Sequence, residues 1–457
     1  MRLRPGEAGS AALASGECTS RHYGSHACSP AEPVLPPWQG KFASVCRYHG
    51  GMSELSTTLI HHPYTPPAGF ASVSPPVHKA STIIFPSVAA LRGRDWKHKT
   101  GYTYGLHGTP TTFTLEERMA TLEGGKFCTL VPSGLASVVL VDMALLKAGD
   151  EVLIPDNAYG PNKAFAQAEL ASWGISCQLY DAMNPADLAA RLNERTRLVW
   201  LEAPGSITLE FADIPALVAV VKAHNASGTA HPQAAITALD NTWGAGLAFN
   251  AFTLGADISV QALTKYPSGG ADVLMGSVVT NNEALHQLVH FCHMRVGYGV
   301  SGNDAELVLR GLNSMAVRYA AQDAATRQLA TWLQGQPQIA AVLHPALPDS
   351  PGHAEWKRDC QGAACLFSAV FKPEFTTAQI DRFCDSLQLF RLGYSWAGPM
   401  SLCVPYDMPA LRVVRPWPYA GGLVRFSVGL EAVADLQGDL ARALAGLNET
   451  PGGNALQ

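Results

Sequence analysis

The chain has 457 residues, 47% hydrophobic and only 15% charged side chains, and a formal charge of -5, enough apolar mass for two or three domains around a large core. It carries no basic face or aromatic–basic interleaving, which argues against nucleic acid as a partner, and no apolar run reaches the roughly 18 residues of a membrane span. The ten cysteines are scattered without a Cys-x-x-Cys pair, Cys360 and Cys365 being closest, so neither zinc nor a disulfide framework is expected, and reduced thiols in a cytoplasmic protein fit better.

Residues 1–51 are rich in Gly, Ser, Ala and Pro, carry Cys18, Cys28 and Cys46, and show no helical or strand periodicity. Arg2 and Arg4 suit a secretory start, but the apolar core of a signal peptide does not follow. A disordered extension is expected here, and Met52 offers an alternative start. Residues 52–108 read as an irregular arm, because Pro66-Pro67, Pro75-Pro76 and Pro86 prevent long helices. Such an arm is expected to lie across a second subunit. It runs into the glycine-punctuated loop Tyr102-Thr-Tyr-Gly-Leu-His-Gly-Thr-Pro-Thr111.

From Thr112 onward strands and helices alternate. Leu115–Leu122 is predicted as a short amphipathic helix, with Thr114 and Glu117 as its capping box. A strand Phe127–Val131 leads to Ser133, which can cap a helix Leu135–Leu146 closed by Gly149. Strand Glu151–Pro155, helix Asn162–Trp173, strand Ile175–Tyr180 and helix Ala186–Glu194 follow. Next come strand Leu198–Glu202, helix Ile214–Ala223, and strands Ala234–Leu239, Ile258–Leu263 and Leu274–Thr280. This alternation predicts a mainly parallel sheet covered on both faces, over residues 109–311. Beyond Arg310 the texture changes to helices Ala305–Leu312 and Ala316–Gly335. Strand-like runs Ala364–Phe371, Leu387–Leu392 and Leu423–Gly429 follow, with helices near Thr377–Leu387 and Val433–Leu447. Residues 312–457 are therefore expected to form a separate α+β domain.

In parallel α/β sheets ligands bind beyond the carboxyl ends of the strands, so the residues delivered there are the candidates. Lys265 stands just past Ile258–Leu263, before the turn at Gly269-Gly270. A lysine held there can lose its proton and form an imine with an aldehyde. Asp240 ends an earlier apolar run, Ala234–Asp240. An imine lysine and an aspartate for a pyridinium nitrogen are the protein groups pyridoxal phosphate (PLP) needs. Ser133-Gly134-Leu135, at a helix N-terminus, can donate to a phosphate; an ordinary helix cap is the competing reading. Tyr159 can stack on a planar ring, or be a surface tyrosine. Glu202-Ala-Pro-Gly-Ser206 is delivered at the same edge. The hydroxyl of Thr264 can add a phosphate contact. Arg425, inside the apolar strand Leu423–Gly429, has a fork that matches a substrate carboxylate, with a structural salt bridge as the alternative.

These residues lie in long ordered motifs: Leu122-Glu-Gly-Gly125, Asp156-Asn-Ala-Tyr159, Leu201-Glu-Ala-Pro-Gly-Ser-Ile-Thr208, Asp240-Asn-Thr-Trp243, Thr264-Lys-Tyr266, His344-Pro-Ala-Leu-Pro348 and Tyr394-Ser-Trp396. From about Leu59 onward the chain resembles the PLP-dependent enzymes of cysteine and methionine metabolism, and most of all their members that cleave cystathionine at the β-carbon. The resemblance implies an aminotransferase-like type I fold, a homotetramer built as a dimer of dimers, and PLP bound as an imine to Lys265. It implies Lys265 as the proton-transfer group, Asp240 as the pyridinium partner, Tyr159 as the ring stacker, Gly134 and Leu135 as phosphate donors, and Arg425 as the carboxylate anchor. It also implies that Tyr104 on the arm reaches a neighbour's phosphate. Two departures stand out. Leu106 occupies a position where relatives commonly carry an arginine contacting the phosphate across the dimer, and Ala262 one where they often carry serine.

The expected reaction is therefore carbon–sulfur cleavage of L-cystathionine to homocysteine, pyruvate and ammonia, with cysteine or cystine as smaller substrates and Lys265 or a tyrosine protonating the thiolate. Ser395 and Trp396 are expected beside the carboxylate anchor, the tryptophan narrowing the cleft so that β-elimination is favoured over γ-chemistry; a plain core aromatic is the alternative for Trp396. A γ-acting relative (γ-lyase, γ-synthase or sulfhydrylase) is the second reading. A PLP-binding regulatory protein is the third, against which stand the complete lysine–aspartate–arginine set and the lack of a DNA-binding segment.

Overall fold

The computed structural model describes residues 55–62 and 64–448. The extension expected over residues 1–51 lies outside them. Residues up to Ala68 form a unit of their own, whose described part begins with the short helix Leu55–Ile60. Both sheets and the remaining helices belong to the unit Gly69–Gln457.

Seven strands make the large sheet: β1 (Phe127–Val131), β2 (Glu151–Pro155), β3 (Ser176–Tyr180), β4 (Thr196–Glu202), β5 (Ile236–Asp240), β6 (Ile258–Ala262) and β7 (Gly276–Thr280), in the spatial order β1-β7-β6-β5-β4-β2-β3. All neighbours are parallel except those of β7, which runs antiparallel to both β1 and β6. The carboxyl ends of the other strands consequently share one edge, as the strand–helix alternation predicts. Both faces are buried, and successive residues serve opposite sides. Val152 and Ile154 pack under the helices Gly134–Leu145 and Glu283–Val296. Leu153 faces the other way, toward the helix Ile214–Ala226.

A second sheet holds β8 (Ile339–Leu343), β9 (Leu366–Phe371), β10 (Arg391–Leu392), β11 (Leu402–Tyr406) and β12 (Leu423–Ser427), ordered β10-β11-β12-β9-β8. Its core is aromatic, with Phe367, Phe371, Phe383, Phe390 and Phe426 buried together. Together the two sheets make the type I PLP-enzyme architecture expected from the sequence. β8 and β11 escaped the sequence reading. One is a short alanine-containing run, and the other contains Pro405, which normally demotes a strand.

Two helix readings are corrected. The helix read as Leu115–Leu122 begins at Pro110, capped by a reciprocal pair, Thr109 and Thr112, with proline in the tolerated first turn. Thr114 instead returns its hydroxyl to the Pro110 carbonyl at 2.7 Å. The two helices read over 305–335 are one, Gly302–Gln334. Gly311, inside the first of the two helices as read from the sequence, is a close-approach glycine: a β-carbon there would run into the carbonyl oxygens of Pro267 and Ser268. The helix thus packs directly on the turn that follows Lys265. It also ties the two halves together, since Val308 and Leu309 enter the core beside β1 while Leu329 and Leu333 enter the aromatic core of the second sheet. No helix among the described residues is long and apolar enough to cross a membrane.

Candidate active site

The turn after β6 is closed by backbone bonds from Lys265 N to Ala262 O (3.1 Å) and from Gly269 N to Lys265 O (2.9 Å). This aims Lys265 into the space between the two sheets. Its Nζ donates to the Ser395 hydroxyl at 2.8 Å and lies 5.4 Å from the centre of the Trp396 ring. Burial first, and then the Arg425 charge, push the Lys265 pKa down to about 8. An amine so placed is neutral in a useful fraction near physiological pH, which nucleophilic attack on an aldehyde requires.

Asp240 ends β5, next to β6. Burial raises its carboxyl, while bonds from Thr242, including its N–H at 3.0 Å, and the charge of Lys265 hold it down. Ser133 caps the helix Gly134–Leu145, accepting from Ala136 N at 3.0 Å. The N–H groups of Gly134 and Leu135 fall in the first turn, where a helix offers them no partner. A β-carbon on Gly134 would come within 2.5 Å of the Ala262 β-carbon, so only glycine lets this helix end meet the end of β6. Thr264 is less free than its sequence position suggested. Its hydroxyl accepts from Met275 N at 3.2 Å and reaches Met275 O at 3.4 Å.

Tyr159 follows β2 and begins the short helix Gly160–Phe165, with its N–H held by Glu202 Oε2 at 2.8 Å. Arg425 comes from the middle of β12 and is 6% exposed. Its Nη1 donates to the Ser206 carbonyl at 2.9 Å, and its guanidinium lies 5.4 Å from the centre of the Tyr406 ring. No carboxylate of the described residues forms an ion pair with Arg425. A buried, unpaired guanidinium is costly, and a substrate carboxylate would complete it. This disfavours the structural salt bridge left open from the sequence.

Tyr104 lies on the arm, half exposed, its ring edge-on to His107 at 6.3 Å. His107, the neighbour of Leu106, turns inward. Its Nδ1 is 2.5 Å from Thr103 Oγ1, and its ring is 6.3 Å from that of Trp96.

Several residues without a role in the sequence reading support this site. Glu123, of the Leu122-Glu-Gly-Gly motif, is fully buried and accepts from Asn241 (2.9 Å), Ser259 (2.8 Å) and Gln261. It thereby fixes the residue after Asp240. Asp156, just past β2, and Glu210, in the loop after β4, grip Arg412 from the second half of the chain at 3.0 and 2.8 Å. A carboxylate at the start of a strand-end motif was the available signal for Asp156, and one before the Gly124-Gly125 pair for Glu123; nothing local marked Arg412.

The set fits PLP. A lysine of lowered pKa, a carboxylate on the adjacent strand, a glycine-narrowed helix end and an aromatic ring share one sheet edge, and an unpaired arginine faces them.

Comparisons with known proteins agree. Residues 56–445 match the family described as Cys/Met metabolism PLP-dependent enzyme. Cystathionine beta-lyase of Bordetella avium is 40% identical over 397 residues, covering 85% of this chain and 96% of the relative. Cystathionine beta-lyase MetC of Escherichia coli is 36% identical, covering 86% and 98%. Among solved structures, cystathionine gamma synthase from Xanthomonas oryzae pv. oryzae in complex with cystathionine superposes with a TM-score of 0.74 at 28% identity, covering 83% of this chain and 95% of the other.

Proposed function

The chain belongs to the Cys/Met metabolism PLP-dependent enzymes, and from that premise we propose that it cleaves the Cβ–S bond of L-cystathionine to homocysteine, pyruvate and ammonia, with cysteine or cystine as smaller substrates. Bound PLP supplies an electron-withdrawing ring that stabilises negative charge at the substrate's α-carbon. Lys265 would hold the cofactor through Nζ, and the same Nζ, when free, would take the substrate's α-proton; the Ser395 hydroxyl, 2.8 Å away, keeps that nitrogen oriented. Asp240 would pair with the ring nitrogen, and Tyr159 would lie on the ring face. The N–H groups of Gly134 and Leu135 would hold the phosphate, with Ser133, Thr264 where its hydroxyl turns from Met275, and the Tyr104 hydroxyl of a neighbouring subunit. Arg425 grips the α-carboxylate through its fork. The thiolate leaving the β-carbon takes its proton from Lys265, Tyr159 or Tyr104, and water completes the release of pyruvate and ammonia.

The observation that carries the β assignment is the wall at Lys265. The Trp396 ring sits 5.4 Å from Nζ, beside Ser395, and it limits room beyond the substrate's β-carbon. Two β-lyase relatives at 36 and 40% identity, against 32% for a cystathionine gamma-synthase of Mycobacterium leprae, support the same choice. A γ-acting enzyme is the second reading, favoured by the close superposition on that γ-synthase. Incubation with cystathionine separates them. Pyruvate with homocysteine supports β-cleavage, 2-oxobutyrate with cysteine indicates a γ-lyase, and no cleavage but condensation of cysteine with an activated homoserine indicates a γ-synthase. A homotetramer working in the cytoplasm, where scattered thiols stay reduced, completes the proposal; sedimentation of the purified protein tests the assembly.

A further inference from the structure

Glu202 ends β4 at the position that pairs in register with Asp240 on β5. In-register neighbours on parallel strands put their side chains on one face, with strands about 4.8 Å apart. The site therefore holds two carboxyl groups side by side, and Glu202 is only 9% exposed. Neither cation in its reach bonds to it, although the charge of Lys163 pulls it down somewhat. Lys163 Nζ donates to the carbonyls of Asp156 (2.6 Å) and Leu411 (3.2 Å), and Arg425 donates to Ser206 O (2.9 Å). The remaining groups around it are Tyr159, the Ser206 hydroxyl and Tyr180, whose hydroxyl donates to Trp200 O. Two adjacent buried carboxylates without a cation between them cannot both stay charged cheaply.

We propose that Glu202 is a positioning residue: the neutral, proton-holding member of a carboxyl pair with Asp240, whose bond to the Tyr159 N–H sets the Tyr159 ring. This rests on the reading of Asp240 and Tyr159 as ring-nitrogen partner and ring stacker. Burial and then the Asp240 charge push Glu202 well above the usual carboxylate range. Asp240 is raised too, held down by bonds from Thr242 and the pull of Lys265; on Glu202 the Tyr159 N–H, Lys163 and Ser206 act the same way, yet it still stands well above the usual range. The single negative charge at this edge thus stays on Asp240, where a protonated ring nitrogen can meet it. A charged Glu202 would divide that attraction and repel its neighbour.

The test uses the PLP-loaded enzyme and its Glu202→Gln and Glu202→Ala variants, titrated by visible absorbance and assayed on cystathionine. Glutamine keeps the acceptor for Tyr159 N–H and carries no charge. Glu202→Gln is therefore expected to keep the absorbance midpoint within about 0.3 pH unit, and kcat within about threefold of native. Glu202→Ala should retain the visible band yet lose at least about tenfold in kcat, more than any change in KM. A midpoint lowered by about one unit or more in Glu202→Gln would mean the native glutamate is charged, and would overturn the inference. So would an alanine variant with native kcat. If alanine fails to fold, the Glu202→Gln midpoint decides alone. A native protein with no visible band overturns the underlying reading and this inference together, whereas a native band with a shifted Glu202→Gln midpoint overturns this inference only.

Discussion

Lys265 is tuned by burial and then by the charge of Arg425, with the Ser395 hydroxyl at 2.8 Å and the Trp396 ring at 5.4 Å beside its amine. An amine pulled down to about 8 is mostly protonated at lower pH and neutral above. Only the neutral form attacks an aldehyde. The rate at which stripped protein recaptures PLP should therefore rise about tenfold per unit below the Lys265 pKa and level off above it. A stopped-flow record of the visible band measures this, and a rate independent of pH would exclude Lys265 as the capturing amine. Lys265→Ala should show neither borohydride-sensitive absorbance nor turnover. The neighbouring tryptophan carries the specificity claim. Trp396→Leu is expected to keep the yellow colour, lower pyruvate formation by about tenfold, and raise the share of 2-oxobutyrate. Chromatography of the keto acids reads both, and an unchanged rate and ratio would reduce Trp396 to a core aromatic.

At the scale of elements, the two sheets are joined by more than the helix Gly302–Gln334. Asp156, at the end of β2, accepts Arg412 Nε at 3.0 Å and the backbone N–H groups of Val413 (3.1 Å), Val414 (3.1 Å) and Arg415 (3.3 Å). Glu210 accepts Arg412 Nη1 at 2.8 Å, together with Thr208 and Asn157. This clasp pins the segment before β12 to the loops that carry Tyr159 and Ser206. Both carboxylates and the guanidinium are almost fully buried, so removing the cation strands two charges. Arg412→Ala should cost about 3–5 kcal/mol in urea unfolding. A loss under about 1 kcal/mol would show that water replaces the guanidinium. The clasp was not legible in the sequence, because its partners stand more than two hundred residues apart. Strand ends, by contrast, were legible to within a few residues, because buried parallel strands are written as short apolar runs. Gly311 shows what that kind of reading misses: the helix through it was legible, but not that its missing side chain admits the backbone of Pro267 and Ser268.

At the scale of the whole molecule the arm is the unfinished part. Phe70 (90%), Val73 (105%) and Ile84 (75%) stand exposed on it, an apolar surface that the proposed assembly would cover. Leu106, half-buried on the same arm, points its Cδ1 at Gly299, and His107 faces Thr103 and Trp96. Neither supplies the phosphate charge that an arginine would bring. Leu106→Arg should therefore slow cofactor loss during dialysis, one charge-assisted bond being worth about 1.5–3 kcal/mol. Equal or faster loss would show that the phosphate is already neutralised by other groups.

The sequence by itself determined one edge of the site. Ser133, Tyr159, Asp240 and Lys265 each stand at or just past the end of a recognisable strand, and parallel strands deliver their end residues to the same side. That argument needs only local pattern and the geometry of a sheet. The residues of the opposite wall were named from the sequence, but their approach to Lys265 was decided by tertiary structure. Ser395, Trp396 and Arg425 reach Lys265 only because two separate cores pack along one long helix. The same packing decided charge. Lys265 is depressed, Arg425 is left unpaired and Thr264 is tied to Met275 because of who surrounds them after burial. Desolvation and long-range pairing depend on the finished interior, which no local stretch of the chain encodes.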